Sequence, residues 1–573
     1  MMKKVFLSCF LSFLISVSIN SQTEQHGLKY SPVPERSGER VRLFTDRNIY
    51  CVKEKICFTA EYSIIEELDT LSWSTVLYVE LIRWNGNKLA QMKLKLVRPA
   101  TSGSMEIPGN VPSGNYYLRA YTKWMRNYSA RDYAYLPVKI VNPFRSETDE
   151  GPAEKSAAAE TLTLNTGQKM LVDGVSCTPV KNEYKPGERA EVEIQIENMK
   201  FIAFDRYCVS VVKVAAIDTT IKSYEPGPSN PGNNIPDIEY LPEIRGITIS
   251  GEIIDNTTKL PAKDVNVSLS ETRHGEHFAV NRTNESGRFV FSLPDMKGQH
   301  EFFIQVDNPS EILIDNGFCS QPVKLPFVSF RLKKDETDFV REMVVNQQIS
   351  ERYLSHKDSL TGSQPTKPEP IVFYGSRKSV YSTDKFIELP NVEEFVYEII
   401  MEATIINEKG KTSFISMRRP DNAHYLPLIL MDNIQVNNDE RLLKTPLNRI
   451  ERVEAINIDY IVGGKVYNGI LSFYSRNKDF AGLDLNKNSM FFTYELYSDT
   501  DPGYDFQNRP SDSRVPDRRN LLYWNPDIHL SPYEKTTISF YTSDCTGDYV
   551  VYIRGLNSPD DFEIYGKCYF SVN

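Results

Sequence analysis

The sequence predicts a mainly β chain, built as tandem antiparallel sandwiches of Ig-like type with one mixed α+β module among them. Three observations carry this. Short runs that alternate apolar and polar residues recur over residues 41–142 and again from Val175, separated by turn pairs such as Asn85-Gly86 and Ser113-Gly114. Aromatic residues make up 11% of the chain, with 32 Tyr and 29 Phe, a composition that suits packed faces of pleated sheets and opposes disorder. Only residues 335–360 carry apolar side chains (Phe339, Val340, Met343, Val344, Ile349) spaced for a long amphipathic helix.

The chain opens with Met1, Met2, Lys3 and Lys4, runs apolar over residues 5–17 and reaches Asn20, Ser21 and Gln22 before a polar stretch. That order predicts a signal peptide over residues 1–21 and an exported mature chain. The apolar run falls short of the roughly 20 residues that span a bilayer, and no later run supplies a transmembrane segment. A length of 573 residues predicts several domains, each with its own core. The net charge is -10, or -12 without Lys3 and Lys4, and no basic cluster interrupts it, so nucleic acid and anionic membrane are poor partners.

Seven cysteines follow the signal segment. Export favours disulfides, and local pairs are the expectation: Cys545 with Cys568, Cys51 with Cys57, and Cys177 with Cys208. The loop closed by Cys545 and Cys568 would be worth about 3 kcal/mol in the chain-entropy model. Cys319 is left as the odd, buried thiol.

Strand spacing and composition divide the chain in order. Residues 39–143 form a first sandwich. Residues 144–168, rich in Glu, Ala, Ser and Thr without periodicity, form a linker. Residues 169–237 repeat the logic of the first segment: the turn Tyr184-Lys185-Pro186-Gly187-Glu188 leads into a period-two strand as Tyr50 leads into residues 56–62, which predicts two copies of one module. Residues 238–332 form another sandwich, 333–362 a helical connector, 370–480 the mixed module and 483–573 a C-terminal sandwich.

Particular residues carry resemblances to known families. Phe44-Thr45-Asp46-Arg47 to Tyr50, Cys57 to Tyr62 and Ser113-Gly114-Asn115-Tyr116-Tyr117-Leu118-Arg119-Ala120 resemble a macroglobulin-like (MG2) domain, and Tyr184 to Ile196 a second copy. No Gly-Cys-Gly-Glu-Gln run is present, so the resemblance implies no thioester. Ser250-Gly251-Glu252-Ile253, Leu260-Pro261, Val265-Asn266-Val267 and Gly287-Arg288-Phe289 resemble the carboxypeptidase regulatory-like fold, a non-catalytic sandwich. Pro427-Leu428-Ile429-Leu430-Met431-Asp432-Asn433, Ile450 to Ile456 and Asn468-Gly469-Ile470-Leu471-Ser472-Phe473 are similar to the plug domain of TonB-dependent receptors. The residues after Tyr474 are too few for the barrel such a plug occupies. The combination resembles envelope proteins of Bacteroidota, and Thr70, Thr219 and Ser359 sit in triplets that look like the O-glycosylation motif of that phylum.

Chemistry-bearing motifs are sparse. His274-Gly275-Glu276-His277 lacks the helical spacing of a zinc-protease pair and sits between strands, so an exposed hairpin loop is expected. Nucleophile elbow, phosphate loop and dinucleotide fingerprint are absent, and Gly463-Gly464-Lys465 reads as a turn between strands. Trp73, Trp84, Trp124 and Trp524 are expected to pack sheets rather than form a binding platform, and Asp432 to make a turn rather than hold calcium. The sequence therefore points to a protein that is not an enzyme and needs no cofactor or metal. Its expected role is a cell-envelope scaffold, outer-membrane-associated, periplasmic or on the surface, with an outer-membrane β-barrel protein as partner. Thioester-less protease binding and glycan or peptide binding are the alternatives.

Overall fold

The computed structural model describes residues 38–64, 73–149, 151, 170–196, 206–218, 238–321, 323–357, 372–407, 413–418, 425–499, 516–531, 534–556 and 562–573. The signal segment, Thr70, Thr219, Ser359 and most of the linker lie outside these residues. The chain divides into two compact units, each gathered from separate stretches. One takes residues 33–246, 318–365 and 497–573; the other takes 247–317 and 366–496. Strands dominate both, in tandem sandwiches with one mixed module, as the alternation predicted.

The first unit holds two sandwiches. In the first, Glu39–Thr45, Lys55–Ile64 and Ala100–Glu106 form one sheet. The second sheet runs Ile49–Cys51, Ala134–Val141, Gly114–Tyr121, Val76–Ile82 and Lys88–Lys95. The short strand Ile49–Cys51 pairs in parallel with Ala134–Val141, so the chain crosses between the sheets and returns within a few residues. Asp46 fixes that crossing. Its buried carboxylate accepts hydrogen bonds from Tyr50 Oη at 2.8 Å, Arg47 Nη1 at 2.7 Å and the Cys57 backbone N–H at 3.1 Å, which offsets the cost of burying the charge.

The second sandwich has the same strand order. Val175–Pro179, Arg189–Ile196 and Thr536–Tyr541 form its three-stranded sheet. Glu183–Tyr184, Phe562–Val572, Gly547–Gly555, Arg206–Lys213 and Leu521–His529 follow one another in the facing sheet, and Met170–Asp173 also pairs with Phe562–Val572. Glu183–Tyr184 pairs in parallel with the last strand, as Ile49–Cys51 does with Ala134–Val141. The internal repeat seen in the sequence is thus a repeat of topology. The expected separation of residues 169–237 from 483–573 is corrected: strands from both stretches share one sandwich and one apolar core, including Tyr184, Val192, Ile194, Val209, Ile538, Val551 and Phe570.

Comparison of the two sandwiches locates the insertion. In the first, Val76–Ile82 and Lys88–Lys95 are joined by a tight turn in which Gly86 N–H donates to Arg83 O at 2.9 Å. Their counterparts, Arg206–Lys213 and Leu521–His529, are also antiparallel neighbours, yet the second unit lies between them in the sequence. Residues 318–332, expected to end a sandwich, instead lie along the first one. Cys319 N–H donates to Tyr121 Oη at 2.7 Å, and Tyr117 Oη donates to Pro326 O at 2.6 Å. The helix Lys334–Lys357 follows, with Phe339, Val340 and Met343 packed on Cys51, Cys57, Cys208 and Trp524 from both sandwiches. Lys139 Nζ lies 2.8 Å from both Asp218 and Glu336, a buried bridge from the first sandwich to the helix.

The inserted unit contains a third sandwich and the mixed module. Arg288–Ser292, Thr248–Asp255 and Ser310–Asp315 form one sheet of the sandwich. Phe278–Arg282, Asn266–Glu271, Gln299–Val306 and Ser489–Glu495 form the other, so its fourth strand arrives only after the mixed module. The module's sheet runs Ser379–Ser382, Ile450–Ile456, Ile470–Ser475, Leu428–Met431 and Ile434–Gln435. One face carries the helix Val392–Glu398, capped by Asn391 on the Glu394 N–H, and the turn Glu440–Leu443. The other face packs on the third sandwich through Leu428, Leu430, Ile456 and Ile470 against Phe278 and Val280.

The disulfide expectations are corrected. Cys177 bonds Cys568, linking the two sheets of the second sandwich across a sequence separation of 391, while Cys51, Cys57, Cys208, Cys319 and Cys545 lie buried outside that bond. Cys51 and Cys57 stand on strands of opposite sheets, and Cys208 faces the helix rather than the core that Cys177 packs against. Cys545 contacts Asn346 of the helix, with the amide nitrogen 3.5 Å from its sulfur. Closing so long a loop stabilises the fold by on the order of 5 kcal/mol in the chain-entropy model. Cys568→Ser should therefore lower the denaturant midpoint markedly and abolish its sensitivity to reductant, whereas Cys545→Ser should keep that sensitivity. Equal midpoints for wild type and Cys568→Ser would show that the bond contributes nothing.

Candidate interaction surface

Among the described residues no cluster of three or more His, Cys, Asp or Glu side chains is arranged to hold a metal. The His274-Gly275-Glu276-His277 loop is organised by a carboxylate instead. Glu271, fully buried, accepts from the backbone N–H groups of Arg273 at 3.2 Å, His274 at 2.9 Å and Glu276 at 3.3 Å, and lies 3.4 Å from His300 Nδ1. The loop is not the exposed hairpin the sequence suggests. His277 Nε2 is buried without a hydrogen-bond partner, and burial, opposed by Glu271, pulls the imidazole down to about 4.

The mixed module grips this loop. Phe373 N–H donates to Gly275 O at 2.8 Å, and Asn433 Nδ2 donates to Thr272 O at 3.2 Å. A Cβ on Gly275 would meet Asn433 Oδ1 at 2.6 Å, and one on Gly463 would overlap the Val280 carbonyl. Gly463 and Gly464, both at positive φ, turn the hairpin Tyr460–Val462 to Lys465–Tyr467, so the expected turn is present and its first glycine is a docking point. Behind the loop, Tyr374 Oη donates to Glu454 at 2.8 Å and meets Tyr474 Oη at 2.8 Å. Lys378 Nζ lies 2.7 Å from the same carboxylate, and the Arg452 guanidinium stacks 3.7 Å over the Tyr474 ring. Burial holds the Tyr374 phenol well above its ordinary range, so it remains a donor.

Asp432 does make a turn, at φ 48°, but its carboxylate bonds outward rather than to its own turn. It accepts from Ser475 N–H at 2.8 Å, Ser475 Oγ at 2.5 Å and Phe480 N–H at 3.0 Å, which ties two strand ends together. Of the tryptophans, Trp124 and Trp524 are buried and Trp84 meets Phe327 edge-on, while Trp73 is half-buried.

One end of the module's sheet is apolar and exposed. Strand register places Ser379, Ile456 and Ile470 at the same end. Leu426, whose carbonyl accepts from Asn468 N–H, and Ile458 lie just beyond these strands, and Met401 precedes Glu402, whose carboxylate accepts from Ser379 Oγ at that end. Met401 is 75% exposed, Ile458 61% and Leu426 49%, with Tyr425 and Ile461 also open. So much exposed apolar side chain on loops of one sheet end marks an interaction surface. The sequence reading missed it, since runs such as Tyr425-Leu426 and Ile458 look like ordinary strand flanks until register brings them together.

No family model matches the chain, and no curated protein matches it. Solved structures do. Salmonella alpha-2-macroglobulin reacted with methylamine aligns at 10% identity over 95% of this chain and 40% of its own, with a TM-score of 0.22. Trypsin-activated alpha-2-macroglobulin from Escherichia coli aligns at 8% identity over 95% of this chain and 42% of its own, also with a TM-score of 0.22. Dimeric latent PorU from Porphyromonas gingivalis aligns at 8% identity over 93% and 34%, with a TM-score of 0.14. The chain spans about two-fifths of the macroglobulin structures. At these scores the likenesses assign neither family nor function.

Two predictions follow from the loop and its grip. As pH falls from about 6.5 toward 4 the unfolded chain gains a proton that folded His277 refuses, so stability is lost over that window, by up to about 3 kcal/mol. His277→Phe should flatten this acid slope in denaturant titrations; an unchanged slope would place the titration elsewhere. Gly463→Ala should destabilise the inserted unit by roughly 2 kcal/mol or more, read as a lower unfolding midpoint, while Gly464→Ala, which meets no neighbour, costs only its positive φ.

Proposed function

We propose that this chain is a non-enzymatic binding or scaffold protein of a bacterial cell envelope, whose mixed module docks on an outer-membrane β-barrel protein. The observation that carries the reading is the apolar sheet end around Met401, Leu426 and Ile458, on the module whose motif order is similar to a receptor plug. Apolar loops at a sheet end supply the hydrophobic centre of an interface. The sandwiches act as spacers, and the Cys177–Cys568 bond fits an oxidising compartment outside the cytoplasm.

The test is a gentle-detergent pull-down of the tagged chain from its native envelope. A stoichiometric barrel protein should copurify, and Met401→Asp with Ile458→Asp, both at exposed positions, should reduce its recovery at least about tenfold by breaking the hot spot. A wild-type chain that purifies alone would overturn the reading.

The duplicated sandwich topology favours one second reading, a macroglobulin-like protease-binding protein acting without a thioester. The linker 144–168 would then be its bait. Cleavage of that linker with no change in hydrodynamic radius and no retained protease would remove it.

A further inference from the structure

The five-stranded sheet of the first sandwich has two faces, and only one belongs to the sandwich core. Leu94 is on the core side, where a Cβ on Gly103 of the facing sheet would stand 2.9 Å from it. Alternation turns Tyr78 and its register partners Lys93 and Tyr121 to the outer side, and the pairs Glu80 with Arg119 and Ile82 with Tyr117 share that side. This outer face is rich in phenols and charge, yet Tyr78, Glu80, Tyr117, Arg119 and Tyr121 are all buried. Residues 318–328 run across it. Phe318 meets the Tyr78 ring edge-on with centroids 5.3 Å apart, and Phe327 meets Trp84 edge-on at 5.8 Å.

Residues 323–328 belong to no sheet. Side chains, rather than a ladder, hold most of this strap's backbone. Tyr121 Oη accepts from Cys319 N–H at 2.7 Å, Tyr117 Oη donates to Pro326 O at 2.6 Å and Asn115 Nδ2 donates to Val328 O at 3.1 Å, with one backbone bond from Leu325 N–H to Trp84 O at 2.6 Å. Val323 and Leu325 are buried while Lys324 and Pro326 are half-buried, the period-two pattern of an extended chain laid on a surface. The turn at Gly86, φ 82°, admits the strap: a Cβ there would meet Val323 O at 2.9 Å. Hydroxyl and amide donors aimed at carbonyls, with aromatic rings beside a proline, are the chemistry that recognises extended proline-containing peptides. None of these bonds depends on the strap being continuous with the rest of the chain, so a separate segment of the same pattern can make them all.

We propose that the outer face of this sheet is a groove for an extended peptide of the pattern Val-x-Leu-Pro-Phe, and that residues 323–328 occupy it as an intramolecular ligand that keeps it closed. Held in the same chain, the strap competes at an effective concentration on the order of mM, so a partner's peptide enters only when the strap is loosened. All residues of the groove and strap belong to the paired-sandwich unit, so the proposal stands or falls apart from the docking of the mixed module.

The probe is a fluorescent synthetic peptide with the sequence of residues 323–330, followed by anisotropy on the full chain. Leu325→Gly with Phe327→Gly removes two seated side chains of the strap, and this variant, its fold checked by circular dichroism, should bind the peptide in the micromolar range. The unsubstituted chain should bind at least about tenfold more weakly, because its own strap competes. Adding Tyr117→Phe to the loosened variant removes the donor to Pro326 O and should cost roughly fivefold in affinity, the effect of one hydrogen bond. Native-state hydrogen exchange needs no substitution: the Leu325 amide should exchange at least about tenfold faster than the ladder amides of Val76–Ile82, through opening of the strap alone. A folded loosened variant that ignores the peptide or takes a scrambled one equally well, equal binding by the unsubstituted chain, an unchanged affinity with Tyr117→Phe, or a Leu325 amide that exchanges only with the sheet would each overturn the proposal.

Discussion

The parallel and antiparallel pairing of Phe562–Val572 is the constraint on which the paired-sandwich unit depends. This last strand lies between Gly547–Gly555 and the short strand Glu183–Tyr184, and it also meets Met170–Asp173. Without it the second sandwich lacks the inner surface on which Tyr184 and Tyr549 pack against Phe570. The cost is a loop several hundred residues long, but closure entropy grows only logarithmically with length, so a long insertion is tolerated where its ends already lie on neighbouring strands. The place where it occurs, a hairpin connection, meets that condition. The Cys177–Cys568 bond removes part of the same entropy from the unfolded chain.

Buried charge ties strands and helix of the paired-sandwich unit together. Asp46 with Arg47 and Tyr50, Glu80 with Arg119 and Tyr121, and Lys139 with Asp218 and Glu336 are each enclosed and hydrogen-bonded. Removing one partner from such a group leaves an uncompensated charge, so these sets favour a single arrangement of strands and helix over near alternatives. Glu271 does the same for a loop, converting a polar hairpin that contains two histidines into a fixed seat for the mixed module.

That seat shapes the candidate site. One face of the module's sheet is committed to the third sandwich and the other to its own helix, so what remains for a partner is the sheet end with Met401, Leu426 and Ile458, and the strand edges. Both present apolar side chains and backbone, which are the currency of association.

Period-two alternation, turn pairs and aromatic content determined from the sequence alone that this is a tandem-sandwich β protein with one long helix and one mixed module. The repeat of Tyr184–Ile196 on Tyr50–Tyr62 announced a duplicated topology. These features are legible because they arise from neighbouring residues: a strand's two faces, a turn's backbone and a helix's stripe are all written locally. Tertiary structure alone decided that the second sandwich is closed by the C-terminal strands, that Cys177 finds Cys568, that Ser489–Glu495 returns to the third sandwich, and that scattered residues near Met401 share one sheet end. Each of these is a pairing between residues far apart in sequence. A strand's pattern states that it needs a neighbour, and many strands of similar pattern could serve; only the closing of complete sheets around shared cores selects which one does.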